Sequence, residues 1–220
     1  MMRAVLFDLD GVLIETEWET FVFYQQYLKV HYGIDLPNSA FQFKAGRKSA
    51  DFWRDVLTPD QRKAVDTEKL TEFKREQFNV HPDTYVQKVS GGKELIEALR
   101  AHGWKTGLTT QNEERMMQTV LAWLDISLLF DVKLSLKDIE KKKPDPQIYL
   151  KAAGILGVNL SQCIVIEDSE DGVNSAKAAG MYCLAIRHSY TPASHLHEAD
   201  TEVKALQEIS PEFIEKIIRQ

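Results

Sequence analysis

The sequence predicts an α/β fold: a parallel β-sheet core covered by helices and interrupted by an inserted helical domain. Three observations carry this. Short apolar runs rich in β-branched residues alternate with stretches of helical periodicity. Several of these runs end abruptly in acidic or hydroxyl residues. The segment 17–86 breaks the alternation, with helical patterns and no convincing strand. Strand alternating with helix implies a parallel sheet with helices on both faces.

Five runs read as strands: 3–7, 105–109, 130–134, 163–166 and 182–186. Between them, 92–102 places Leu95, Ile96 and Leu99 at helical spacing and stops at Gly103. The stretch 113–124 carries Met116, Met117, Val120 and Leu121. The stretch 146–156 opens on Pro146 and is followed by Gly157. The stretch 171–179 is rich in small residues and ends at Gly180. In the interrupting segment, 21–32, 50–57 and 60–78 read as helices. The expected division is a Rossmann-like core over 1–16 and 87–220 and a helical domain over 17–86. An insertion after the first strand sits at that strand's carboxyl end, where sites in open α/β sheets lie, so it is expected to cover a pocket around Asp8. Trp18, Trp53 and the aromatics of 21–27 read as packing of the helical domain. Residues 189–200 read as a polar loop and 211–219 as a last helix.

Composition narrows the function classes. The chain has 220 residues, enough for one sizeable core and a small accessory domain. The net charge is −6 with no basic stripe, which argues against a nucleic-acid partner. No apolar run approaches 18 residues, so no membrane span is expected. Asp8 and Asp10 stand where a signal peptide needs its apolar centre, so a cytoplasmic location is expected. Cys163 and Cys183 lie in apolar runs far apart and read as buried thiols rather than a disulfide.

The chemistry gathers at the strand ends. Asp8 and Asp10 follow the first strand, two residues apart, so both carboxylates can face one pocket. Crowded carboxylates repel and need a cation or a shared proton. This suits one Asp as nucleophile and the other as proton carrier, with a divalent metal between them. Thr109, Thr110, Gln111 and Asn112 follow the second strand, where a hydroxyl and a backbone N–H suit a phosphoryl oxygen; a helix N-cap is the ordinary alternative. Lys141, Lys142 and Lys143 precede Pro144, and Lys143 is favoured to neutralise a phosphate and the nucleophile because Pro144 restricts its backbone. Glu167 and Asp168 end the fourth strand, and adjacent acids there suit magnesium. Gly46-Arg47-Lys48-Ser49 is placed to read a distal anion of a substrate, or is a plain surface turn. His195 and His197 read as solvent-exposed, with no third ligand nearby in sequence.

Taken in order, Asp8-Leu9-Asp10-Gly11-Val12-Leu13, Thr110, Lys143-Pro144-Asp145-Pro146 and Glu167-Asp168-Ser169 with Gly172 resemble the four motifs of the haloacid dehalogenase superfamily. The resemblance covers the whole chain. The helical insertion resembles the cap of the subfamily that holds β-phosphoglucomutase, phosphoglycolate phosphatase and sugar-phosphate phosphatases. The resemblance implies that Asp8 is the nucleophile, Asp10 the general acid/base, and Thr110 and Lys143 the groups that bind the phosphoryl group; Gln111, next in the same segment, joins them as a phosphate-binding candidate. The resemblance implies Mg2+ held by Asp8, the Asp10 carbonyl and Asp168, with Glu167 close by. It also implies a small phosphorylated metabolite as substrate, with Thr20, Arg47 and Lys48 as candidates for specificity. Two departures stand out. Glu15-Thr16-Glu17 replaces the usual Asp-Ser/Thr-Glu, and Thr20 stands where the mutases carry a histidine, which weakens a mutase reading. Either Thr109 or Thr110 suits the phosphate ligand.

Overall fold

The computed structural model describes residues 2–44 and 49–218. Six strands form a parallel sheet in the order β5-β4-β1-β6-β7-β8. They are β1 (Ala4–Phe7), β4 (Lys105–Thr109), β5 (Val132–Leu134), β6 (Cys163–Glu167), β7 (Tyr182–Ile186) and β8 (Thr201–Val203). Two short strands, β2 (Ile14–Glu15) and β3 (Gln87–Lys88), form a separate two-stranded sheet. The helices of the α/β part are α6 (Gly92–Ala101), α7 (Glu114–Trp123), α8 (Gln147–Leu156), α9 (Glu170–Ala178) and α10 (Pro211–Ile218). Those of the interrupting segment are α1 (Glu17–Tyr32), α2 (Ser49–Val56), α3 (Pro59–Ala64), α4 (Thr67–Val80) and α5 (Pro82–Tyr85). The chain divides into two compact units, Met1–Ile14 with Lys88–Gln220, and Glu15–Gln87.

β1 is the central strand, and all four of its residues are fully buried. A strand covered on both faces needs apolar side chains on both, which is why Ala-Val-Leu-Phe runs without alternation. One face packs Leu6, Val165 and Cys183 against Ile148, Tyr149 and Ala176 of α8 and α9. From β1 the chain reaches β4 and β5 on one side and β6, β7 and β8 on the other. The order therefore reverses at β1, and its carboxyl end opens a crevice between neighbouring strand ends. The helical unit has an aromatic core. Tyr24 of α1 lies 4.6 Å from Trp53 of α2 between ring centroids, Phe21 lies 6.4 Å from Phe52, and Phe23 meets Phe78 of α4 edge-on at 6.2 Å. Trp18 packs on Phe21 and Phe41 and remains partly exposed.

Beyond the short strands β2 and β3, which are not among the five expected, the structure departs from the sequence expectation in three further places. β8 adds a sixth strand, a three-residue edge element with too short a run to show a period. The expected helix 60–78 is two helices. Val65 is extended between them, and the Asp66 side chain accepts from the Lys69 amide at 3.0 Å, which starts α4 afresh. His195 is half-buried, 3.7 Å from Glu170, while His197 is exposed as expected.

Close packing makes a stability prediction. A methyl group on Gly107 of β4 would lie 2.6 Å from Leu6 Cδ2 and 2.9 Å from Val132 Cγ1, whereas one on Gly154 of α8 meets nothing within 4 Å. Gly107→Ala is expected to lower the unfolding free energy by about 1–3 kcal/mol through overpacking. Gly154→Ala is expected to raise it by up to about 1 kcal/mol through helix propensity. Urea titration of both variants checks the opposite signs.

Candidate active site

The crevice at the end of β1 is built by backbone first. The Asp8 amide donates to the Ile166 carbonyl at 3.0 Å, carrying the β1–β6 pairing one residue past the strand. The Thr109 hydroxyl donates to the Phe7 carbonyl at 3.2 Å and so is engaged inside the sheet. Beyond Asp8 the chain turns sharply. Gly11 sits at φ +71°, and its amide donates to the Ile14 carbonyl at 2.6 Å. A methyl group on Gly11 would lie 1.9 Å from Asp168 Oδ2. Glycine is thus required twice, by the left-handed backbone and by the carboxylate packed against it.

Lys143 is the electrostatic centre. Its ammonium donates to Asp8 Oδ1 at 2.5 Å, to Glu167 Oε1 at 2.6 Å and to the Thr109 carbonyl at 3.1 Å, which uses all three of its protons. Its nitrogen also stands 5.1 Å from the centroid of the Tyr149 ring. The Tyr149 hydroxyl donates to Glu167 Oε1 at 2.6 Å. Glu167 Oε2 accepts from the Asp168 amide and the Ser169 hydroxyl, each at 3.1 Å. A methyl group on Gly172 would fall within about 2 Å of the Glu167 carboxylate, so a glycine in the first turn of α9 makes room for that charge.

Burial and charge pull against each other here. Burial drives the Asp8 carboxyl up to about 7; Lys143 opposes this, while the charges of Glu167 and Asp10 add to it. Burial would also raise Glu167, but the Lys143 charge and the hydrogen bonds from Lys143, Tyr149 and the Asp168 amide outweigh it and hold Glu167 low. Burial would lower Lys143, but Asp8 and Glu167 hold its ammonium above the usual range. One cation faces two buried carboxylates at nearly equal distances, and Glu167 has further donors in Tyr149, Ser169 and the Asp168 amide.

A divalent cation fits this arrangement. Asp8, Glu167 and Asp168 each offer an oxygen within 4.8 Å of the others, an all-carboxylate donor set suited to a hard ion. Burial is the main cause of the raised Asp8, with the Glu167 and Asp10 charges adding to it, and a cation beside it would favour its ionised form. The Asp10 side chain is held elsewhere: Asn112 Nδ2 donates to Asp10 Oδ2 at 2.5 Å. His188 borders the set. Its Nε2 lies 2.8 Å from the Gly11 carbonyl, which can only accept, and 3.7 Å from Asp168 Oδ2, and its ring stacks on Tyr190.

The second strand end is more polar. The Thr110 hydroxyl accepts from the Asn112 amide at 3.1 Å, which leaves its own proton to donate. Gln111 Nε2 is buried with no hydrogen-bond partner, a donor awaiting an acceptor. Thr20 is buried within α1 of the helical unit. Arg47 and Lys48 lie outside the described residues. Sequence reasoning missed Tyr149 and His188 as parts of this site, and it named Asn112 only within the segment 109–112, without its bond to Asp10. Tyr149 lies on the inward face of α8, where a buried hydroxyl needs a partner. His188 follows β7, whose strand end was not read for chemistry as the others were.

The raised Asp8 sets a pH dependence. Between its ordinary 3.8 and about 7, the folded state binds more protons at Asp8 than the unfolded state does. Stability therefore falls as pH rises through this window. In the presence of chelator, the wild type is expected to lose stability relative to Asp8→Asn between pH 5 and pH 8, read as a falling difference in urea midpoints. A rising difference would contradict the burial argument.

Residues 5–186 match the haloacid dehalogenase-like hydrolase family. The chain is 30% identical over 210 residues to validoxylamine A 7'-phosphate phosphatase of Streptomyces hygroscopicus subsp. limoneus, covering 95% of this chain and 96% of that one. It is 27% identical to the phosphorylated carbohydrates phosphatase of Thermotoga maritima, over 100% of this chain and 99% of the relative. The structure superposes on β-phosphoglucomutase of Clostridium difficile with a TM-score of 0.73 at 23% identity, over 100% and 98% of the two chains, a likeness of fold. With the acidic turn after β1, the buried lysine and the acid pair after β6 in place, the chain belongs to the haloacid dehalogenase-like hydrolase family.

Proposed function

We propose that this protein is a Mg2+-dependent phosphatase of small phosphorylated metabolites that works through an aspartyl-phosphate on Asp8. The observation that carries the reading is the buried Lys143 ammonium joining Asp8 to Glu167 beside Asp168. Such a lysine holds a carboxylate in the sheet crevice and offsets the repulsion between it and a phosphate dianion, about 4 kcal/mol per charge pair at 4 Å and an effective dielectric of 20.

In the first half-reaction an Asp8 oxygen bonds to phosphorus, the bond to the leaving alcohol breaks, and Asp10 gives its proton to the departing oxygen. In the second, a water oxygen bonds to phosphorus, Asp10 takes the water proton, and the bond to Asp8 breaks. Thr110 and Gln111 are the donors proposed for the phosphoryl oxygens, supported by the unspent Thr110 proton and the unpartnered Gln111 amide. Thr109 is set aside because its proton serves Phe7. Asp8, Asp168, the Asp10 carbonyl and Glu167 are the groups proposed to hold the cation. When bound, it supplies charge stabilisation at the phosphoryl group. The helical unit is read as a cap that carries specificity through Thr20, Arg47 and Lys48. Hydrolysis is favoured over a mutase reaction because Thr20 stands where the mutases resembled carry histidine, and because the two sequence relatives named above are phosphatases. Action in the cytoplasm accords with two buried, unpaired cysteines, Cys163 and Cys183. Among the described residues no helix is long and apolar enough to cross a membrane.

A screen of phosphorylated metabolites for phosphate release, with magnesium, tests the reading. Asp8→Asn is expected to remove turnover while leaving the far-UV spectrum unchanged; turnover retained above a few per cent of wild type would remove Asp8 from the nucleophile's place. Chelation is expected to abolish activity reversibly, and Asp168→Ala to raise the half-saturating magnesium concentration at least tenfold. Full activity in excess chelator would mean that the acid cluster is not a metal site.

A further inference from the structure

We infer that Asn112 is a positioning residue for Asp10, whose loss is felt most on phosphate esters with poor leaving groups. Three bonds mount Asn112 rigidly. Its amide donates to the Thr110 hydroxyl at 3.1 Å, its carbonyl accepts from the Leu136 amide at 3.0 Å, and its side chain donates to Asp10 Oδ2 at 2.5 Å. The backbone is thus pinned between the segments that follow β4 and β5, and the side chain crosses from there to the β1 turn. An ionised carboxylate only accepts, so the nitrogen of the Asn112 amide is the atom that faces it. On the Asp10 side, the turn is closed by the Gly11 amide on the Ile14 carbonyl. A carboxyl on a turn still rotates about its last bond. A hydrogen bond from a fixed donor to Oδ2 helps to set that rotation in either protonation state, and with it the direction in which Oδ1 delivers a proton.

The inference rests on the proposed phosphatase mechanism and adds the residue that aims its proton carrier. In the first half-reaction Asp8 bonds to phosphorus, and the electron pair of the breaking bond leaves on the ester oxygen. An aliphatic alkoxide is too basic to depart unaided, so that oxygen must receive the Asp10 proton. A nitrophenolate departs as the anion and needs none. A device that aims Asp10 serves the first kind of leaving group and is of little use to the second.

The test measures kcat/KM, which reports the steps up to aspartyl-phosphate formation, for Asn112→Ala and Asn112→Ser in the full chain with magnesium. The substrates are aryl phosphates of graded leaving-group pKa and a panel of alkyl phosphates that includes 2-glycerol phosphate and glucose 6-phosphate. The expected loss is about 100-fold on alkyl phosphates, within the range for general acid catalysis, and at least tenfold smaller on p-nitrophenyl phosphate. The plot of log kcat/KM against leaving-group pKa should steepen. Both variants keep the backbone bonds at this position, and the polar serine is the second variant should the alanine one fail to fold. Equal losses across all leaving groups, no loss, or a wild type that cleaves p-nitrophenyl phosphate but no alkyl phosphate would overturn the inference. A wild type that cleaves neither class would instead remove the phosphatase reading on which it rests.

Discussion

Everything at the crevice depends on placing one ammonium between two carboxylates out of water. Lys143, Asp8 and Glu167 come from three separate segments, and each would be costly to bury alone. Together they compensate one another, but not evenly. Glu167 is surrounded by donors, whereas Asp8 is left with a share of the lysine and a carboxyl pushed towards its neutral form. Of the two, Asp8 accepts from fewer donors and has more to gain from a cation.

The same cluster dictates local sequence through space rather than conformation alone. Gly11 and Gly172 lie far apart in the chain, yet each is a glycine because a carboxylate fills the volume a side chain would need. Asp168 occupies the place beside Gly11, and Glu167 the place beside Gly172. Ser169 adds a third constraint, since its hydroxyl donates to Glu167 and also accepts from the Gly172 amide to cap α9. The acid pair, the serine and the glycine after β6 therefore form one packing unit.

Much of the fold is legible in the sequence because burial is written into the strands. β1 and β6 are covered on both faces and read as unbroken apolar runs. β8 is hidden for the opposite reason: Thr201-Glu202-Val203 is short, lies at the sheet edge and is only partly covered. The break between α3 and α4 depends on Asp66 acting as a cap, which competes with its reading as one more polar residue on a long helix. At the site, residues that end a strand announce themselves by polarity. Asp8, Thr110, Lys143, Glu167 and Asp168 are all of that kind or lie in a marked loop. The residues that hold them do not announce themselves. Asn112 and Asp10 are separated by 102 positions, and Gly11 and His188 by 177, so only the folded chain shows that they meet.

The central place of β1 also sets a schedule for synthesis. Its register partners, Lys105 and Cys163 opposite Ala4, emerge roughly 100 and 160 positions later. At about 5–20 residues per second, the second partner follows roughly 8–30 s after β1 itself. Until β4 has been made β1 has no sheet partner, and until β6 has been made one of its edges stays unpaired, while the helices between Glu15 and Gln87 pack among themselves through contacts near in sequence. The sheet is completed from the middle outwards only once β6 has been made, so a nascent chain halted before Cys163 exposes the edge of β1 that β6 covers in the finished protein.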